Sequence, residues 1–378
     1  MSEWSRPHVH STEGHRQASW IELFFDLVFI ASLAEVIHYV EAHLADGFVH
    51  TIIWFFILFT APWIVWRSST FYSDRYEENT TRHRLLMIVL MVPIGLFAYS
   101  IHYTTDHEYG WFVLSFVLSR FWLLFMWGSI KMTESAQRQT FRVLLIGHGI
   151  AMILVTLGWL THWMIPLVTI ALLIELFQTL FTLRSHEKLP ALTHNHLPER
   201  FGLFTMLVLG EGVLGVIYIL SESSQLLLPF LLFLLIVACF WIYYDQVIYR
   251  LFEPTAWHIY WWSMWNLGIV ASLLLIRSTF IGLKVEDSKS MLLLLIGVLL
   301  FLFTTGGSGI VGKKDELSQR MTRHFLQLRL LLGVLLIGGY WLTDSVYLFV
   351  SMTIVVLFIV LLQGMYYWVR HLKPHAEN

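Results

Sequence analysis

The stretch SWIELFFDLVFIASLAEVI, residues 19–37, decides how the chain is read. Its apolar content is that of a membrane span, yet it carries Glu22, Asp26 and Glu35. On insertion scales a bare carboxylate at mid-membrane costs roughly 2.5–3.5 kcal/mol, so such groups sit where they are paired, protonated or wet. Ser19 followed by Glu22 fits a capping box, in which the carboxylate returns to the Ser19 backbone N–H near the membrane interface. Asp26 lies one helical turn deeper on the same face. Capping cannot explain it, so the face bearing Glu22 and Asp26 is expected to look into a helix bundle. Glu35 falls towards the other end of the span, where it can be wetted together with His38.

The whole chain has the same character. Of its 378 residues 57% are hydrophobic and only 13% charged, against roughly 25% charged in a soluble domain. Most of the surface therefore faces lipid. The formal net charge of −2 gives no reason to expect nucleic-acid binding. The single cysteine, Cys239, lies in an apolar run and has no intrachain disulfide partner. The first 19 residues hold no apolar run of signal-peptide type, which predicts that the first span is retained.

A crossing needs about 20 helical residues, and twelve apolar runs meet that length: 20–41, 48–69, 84–104, 110–130, 141–161, 163–184, 200–220, 226–250, 257–279, 291–311, 325–342 and 345–370. The expected fold class is an all-α polytopic membrane protein of about twelve transmembrane helices. The runs are too long and too uniform for the alternating strands of a closed barrel. With the N-terminus inside, all but four of the 24 lysines and arginines fall at cytoplasmic loops and span ends. The exceptions are Arg277, Lys284 and Lys289 outside and Arg120 in mid-span. That bias predicts a multi-pass protein of the inner, cytoplasmic membrane with both termini cytoplasmic. Trp257, Trp261 and Trp265 share one helical face and read as an interfacial anchor at the start of the ninth span.

Sliding the chain by 180 residues aligns 21–37 with 201–217, so that Leu23, Phe24, Leu27, Val28, Val36 and Ile37 meet identical residues. PWIVW (62–66) and FWIYY (240–244) then fall late in the following spans. A duplicated six-span unit keeps its orientation, which predicts two parallel six-helix repeats. On this reading 1–19 is a cytoplasmic tail, 20–184 the first repeat, 185–199 a cytoplasmic linker, 200–370 the second repeat and 371–378 a cytoplasmic tail.

Further ionisable groups fall in mid-membrane: Arg120 in the fourth span, Glu175 in the sixth and Glu211 in the seventh. An arginine stays charged and needs an anion; Glu175 and Glu211 are the candidates, with Asp26 if the helices stagger. Two readings stand open. One is a buried ion pair that fixes helix register; the other is a proton or cation relay. Glu211 is flanked by Gly210 and Gly212, with Gly215 nearby, which lets another helix approach or frees backbone carbonyls for a ligand. Pro62, Pro93 and Pro166 are expected to kink their spans. The candidate polar network or pathway is therefore Glu22, Asp26, Arg120, Glu175 and Glu211, with His148 and Asn266 as further buried polar residues. No cofactor is implied. The pairs His8/His10 and His194/His196 offer only a weak four-histidine metal reading, and GxxxxGK[ST], HExxH, GxSxG and CxxC are absent.

Three blocks, ELFFDLVF (22–29), WRSSTFYSDRY (66–76) and ERFGLFTMLVLGE (199–211), resemble the signature blocks of the bacterial low temperature requirement A family. The similarity runs over roughly 15–370 and implies a multi-pass inner-membrane protein associated by name with growth in the cold. FFD (24–26) is also similar to the FSD-type motif of lysosomal potassium channels, which carry duplicated six-span units; Phe25 stands in place of the serine, and the second half lacks the motif. The favoured expectation is a transporter or channel-like protein for a small solute or cation, with a polar pathway between two six-helix halves. A membrane enzyme of lipid or envelope metabolism and a non-catalytic scaffold are the alternatives. The partners this implies are the lipid bilayer and a small solute or cation; the sequence does not set an oligomeric state.

Overall fold

The computed structural model describes residues 18–76, 80–104, 107–186, 188–190, 192, 196–222, 225–248, 255–311 and 316–367. Among the described residues there are helices and no strand. In chain order they are α1 (Trp20–His43), α2 (Phe48–Tyr76), α3 (Thr81–Thr104), α4 (Gly110–Gly128), α5 (Ser135–Thr161), α6 (Met164–Phe177), α7 (Leu183–His186), α8 (His196–Glu222), α9 (Leu227–Tyr243), α10 (Ala256–Arg277), α11 (Phe280–Lys284), α12 (Ser288–Gly307), α13 (Glu316–Leu342) and α14 (Val346–Tyr367). Eleven helical segments among the described residues are long and apolar enough to cross a membrane. The 24-residue α1, with its acids, is the twelfth long helix. The protein is an all-α polytopic membrane protein.

The local chemistry sets several helix ends. The Glu22 carboxylate accepts from the Ser19 backbone N–H at 2.9 Å and from its hydroxyl at 3.1 Å, satisfying a donor that α1 would otherwise leave bare. Asp287 caps α12, its carboxylate accepting from the N–H groups of Lys289 and Ser290. Pro62 and Pro93 lie inside α2 and α3. Pro166, by contrast, falls in the first turn of α6. There a missing N–H costs nothing, so no kink follows from it. Two spans change pitch near their ends: α6 tightens into a 3₁₀ turn over Gln178–Thr182, and α9 widens into a π turn over Tyr244–Ile248.

α1 answers the question its sequence raises. Trp20, Phe24 and Leu27 on one face are more than half exposed, while Glu22, Phe25, Asp26, Phe29 and Leu33 on the other are buried. The apolar face is the outward one and the acids point inward, as expected when the surrounding solvent is lipid.

The chain divides into two compact units. The first comprises residues 1–40, 49–201 and 254–260. In it α3 packs on α4, α4 on α5 and α5 on α6, and α2 is the most enclosed of its long helices. The second comprises 41–48, 202–253 and 261–378, with α9 against α14, and α12 and α14 each against α13.

Within the second unit Arg277, at the end of α10, ties two segments together. Its Nη1 lies 2.6 Å from Glu41 Oε1, and its Nε–H donates to the Glu211 backbone carbonyl at 3.0 Å. That approach depends on Gly215, where an added Cβ would fall 2.6 Å from Arg277 Cζ. Gly212 admits the Ile236 side chain of α9, whereas Gly210 faces open space. Gly215→Val is therefore expected to lose about 1–3 kcal/mol of stability through overpacking, read as a lower unfolding temperature in detergent. Gly210→Ala, with nothing to clash and a better helix former in place, is expected to leave that temperature unchanged or slightly raised.

Candidate functional site

Two clusters of buried charge lie in the first unit, and α2 contributes to both. The first gathers the three motif blocks. Its geometry starts from two opposed stripes: Glu22 and Asp26 one turn apart on α1, and His196 and Arg200 one turn apart on α8. Arg200 Nη1 lies 2.7 Å from Glu22 Oε1 and Nη2 lies 2.7 Å from Asp26 Oδ1, so one guanidinium holds two carboxylates. The planar fork of arginine suits that double role better than a lysine point charge. From α2 the Trp66 indole N–H donates to the same Asp26 Oδ1 at 2.8 Å. One helical turn pair further along α2, Asp74 Oδ1 lies 2.7 Å from His196 Nδ1, while His196 Nε2 lies 3.4 Å from Glu22 Oε2. The side chains of Glu22, Asp26, Asp74, His196 and Arg200 are all essentially inaccessible. Phe201, beside Arg200, closes the cluster on the α2 side, its ring 4.8 Å from that of Trp66 and 6.0 Å from that of Trp63.

Most of these contacts are strong charge-assisted ones, but the cluster is not saturated: Arg200 Nη1 meets Glu22 Oε1 as an ion pair without hydrogen-bond geometry, and the buried Arg200 Nε–H has no acceptor among the described residues. Asp26 Oδ2 is buried and has no hydrogen-bond donor among the described residues, and neither does the buried Thr70 hydroxyl. Thr70 lies on α2 between Trp66 and Asp74. A buried carboxylate oxygen without a donor carries a desolvation cost that a proton, a water or a cation would relieve.

The second cluster is built on α4, α5 and α6. Arg120 Nε–H and Nη2–H donate to Glu175 Oε1 and Oε2 at 3.0 and 2.8 Å, a two-pronged pair. Nη2 also donates to the Ala61 carbonyl of α2 at 3.0 Å, and Nη1 to the Ser119 hydroxyl at 3.1 Å. The Phe116 ring covers the guanidinium at 3.7 Å. His148 Nδ1 meets Glu175 Oε1 at 2.6 Å. Nearby on α2, the buried Arg67 lies 5.9 Å from the Tyr260 ring, and the Tyr260 hydroxyl donates to the Leu176 carbonyl beside Glu175.

The five sequence-derived site residues thus fall into three places. Glu22 and Asp26 meet on Arg200. Arg120 meets Glu175. Glu211 lies in the second unit, half-buried, with its backbone carbonyl taken by Arg277. Glu35 lies 3.3 Å from the exposed His102, near the end of α3. The sequence reading starts the seventh span at Arg200, as a cation at its cytoplasmic end, and places 185–199 in a linker. The helix in fact begins at His196, and that extra turn carries both His196 and Arg200 into the buried cluster. Trp66, Asp74, His196 and Arg200 are the members that sequence reasoning missed. The i, i+4 spacing of His196 and Arg200, opposite in sign to that of Glu22 and Asp26, was the available signal. Of the histidine pairs, His8, His10 and His194 lie outside the described residues, and His196 is engaged by Asp74 and Glu22. Among the described residues no group of three or more His, Cys, Asp or Glu is arranged to hold a metal ion.

Each cluster makes removal of a single partner costly, because the other charge is left buried and uncompensated, at about 3–5 kcal/mol. Arg120→Met and Glu175→Met are each expected to fail to accumulate as folded protein. The combined variant, which leaves no orphan charge, is expected to regain much of the loss. Size-exclusion profiles and unfolding curves of the purified variants measure this.

The sequence model of one family, described as Bacterial low temperature requirement A protein (LtrA), matches residues 17–363. No curated protein and no solved structure matches the chain. The matched region takes in every residue of both buried clusters, and the three motif blocks noted in the sequence meet at Asp26, which Trp66 and Arg200 share. The chain belongs to the bacterial low temperature requirement A family.

Proposed function

We propose that this protein is a transporter or channel-like protein for a small solute or ion, and that the Glu22–Asp26–Asp74–His196–Arg200 cluster is its ion-handling site. One observation carries the reading: five ionisable side chains from three helices of a polytopic membrane protein are buried together, with one carboxylate oxygen of Asp26 still lacking a donor. Replacing a buried ionic group by apolar residues is often neutral or stabilising, so stability alone is a poor reason to keep so many. Intramembrane acids, arginines and histidines commonly mark ion pathways and proton relays. The Arg120–Glu175–His148 cluster, whose guanidinium and carboxylate are each held by several partners, serves as the rigid strut that fixes α4, α5 and α6 against α2.

The same proposal includes a setting in the inner membrane with both termini cytoplasmic, supported by the loop bias of lysine and arginine. It also includes an origin by duplication of a six-span unit, supported by the alignment of 21–37 with 201–217.

The test is flux in proteoliposomes, read with entrapped dyes for protons, sodium and potassium. Asp26→Asn keeps the shape of the side chain and removes its charge. It is expected to lower the flux found for the unsubstituted protein at least about tenfold, the rate equivalent of about 1.4 kcal/mol. Unchanged flux through a correctly folded Asp26→Asn protein would remove the site, and no flux of any tested ion through the unsubstituted protein would count against the transport reading.

A further inference from the structure

We propose that His196 is a proton-binding site, its imidazole holding a proton on each ring nitrogen between Asp74 and Glu22. In a neutral imidazole one nitrogen donates and the other accepts, and only the imidazolium donates from both. Which form is present is assigned from the partners of the two nitrogens. At His196 each ring nitrogen faces a carboxylate oxygen: Asp74 Oδ1 at 2.7 Å from Nδ1 and Glu22 Oε2 at 3.4 Å from Nε2. An ionised carboxylate only accepts. A bare nitrogen turned to either one would set a lone pair against a negative oxygen among fully buried side chains. The added proton removes that conflict.

The groups around the ring favour the same result. From α1 it faces Glu22, with Asp26 one turn further on; from α2 it faces Asp74, next to the buried Arg75; on its own helix Arg200 turns to Glu22 and Asp26. Ser19 supplies two further donors to the Glu22 oxygen that faces the ring. His148 provides the contrast within the same protein. It meets a single carboxylate through Nδ1, and its buried Nε2 has no hydrogen-bond partner among the described residues. Of the two rings, only that of His196 is faced by a carboxylate at each nitrogen.

The ligand of this site is a proton exchanged with water, and no other bond is made or broken. Loss of the proton leaves Glu22 and Asp74 with one positive charge fewer between them, a state that favours entry of a small cation beside the donor-free Asp26 Oδ2. The proton's role as coupling ion rests on the transport reading; its presence on His196 does not.

The test is nitrogen NMR of the full-length protein in lipid nanodiscs, with ¹⁵N in the histidine rings, at neutral pH. His196→Gln identifies the resonances; should that variant not fold, their displacement in Asp74→Asn and Glu22→Gln identifies them instead. The expected result is a His196 ring with both nitrogens protonated, replaced by a ring with one bare nitrogen in Asp74→Asn. A bare nitrogen on His196 in the unsubstituted protein would overturn the proposal. So would a doubly protonated ring that persists when Asp74→Asn and Glu22→Gln are combined. The flux measurement is independent of this one. A protonated His196 in a protein that moves no ion keeps the proton site and loses its coupling role, and flux with a neutral His196 does the reverse.

Discussion

The guanidinium of Arg200 between Glu22 and Asp26 is the contact on which the first unit depends. Without it α1 would carry two carboxylates into a bilayer with no arginine to balance them, at several kcal/mol each. With it, the acids become the means by which α1 is fixed in rotation. The face holding Glu22, Asp26 and Phe29 is committed to the interior and the face holding Phe24 and Leu27 to lipid. Trp66 and Asp74 extend the same fixing to α2, because Trp66 shares Asp26 with Arg200 and Asp74 shares His196 with Glu22. Apolar packing alone would not select that register, since lipid chains are as apolar as the side chains they would replace.

α2 then carries the constraint onward. Its Ala61 carbonyl receives Arg120, whose other donors go to Glu175 and Ser119. The rotation of α2 set at Trp66 and Asp74 thus bears on where Arg120 and Glu175 meet. The two clusters differ in kind. Around Arg120 the guanidinium and both carboxylate oxygens are engaged, and an aromatic face covers the cation. Around Arg200 three carboxylates converge, a histidine lies between two of them, and one oxygen of Asp26 remains without a donor. An arginine–glutamate pair whose charged atoms are all engaged suits a strut. Unsaturated charge, with a titratable ring at its centre, suits a site that takes up and gives back an ion.

Much of this was legible in the sequence, for physical reasons. Span length and the scarcity of charge gave an all-α membrane protein, because the hydrocarbon thickness sets helix length. The inward aim of Asp26 followed from the cost of a bare acid in lipid, and the Ser19–Glu22 cap from local spacing. The place of Arg200 and His196 inside a span was not legible, because hydropathy cannot separate a polar helical turn from a polar loop. The PERF segment looks like the end of a linker, and only its cross-chain partners make it part of a span. Asp74 was hidden in the same way, inside a charged stretch that reads as a loop although α2 continues through it to Tyr76. The tryptophan stripe at 257–265 shows the opposite limit. Trp257 is half exposed, as an anchor would be, but the Trp265 ring lies over Gly307 and meets Phe303 edge-on at 5.5 Å. That gives the otherwise silent GSG at 307–309 a packing role.

The central claim is that Asp26 and Arg200, 174 residues apart in sequence, act as one unit inside the folded protein. A double-mutant cycle measures this directly. Asp26→Asn, Arg200→Gln and the combined variant are unfolded by sodium dodecyl sulfate titration in mixed micelles, and their stabilities are compared with that of the unsubstituted protein. The coupling free energy is expected to exceed about 1.5 kcal/mol, within the range found for residues sharing one charge network. Effects that add to within about 0.5 kcal/mol, as those of distant and independent sites do, would contradict it.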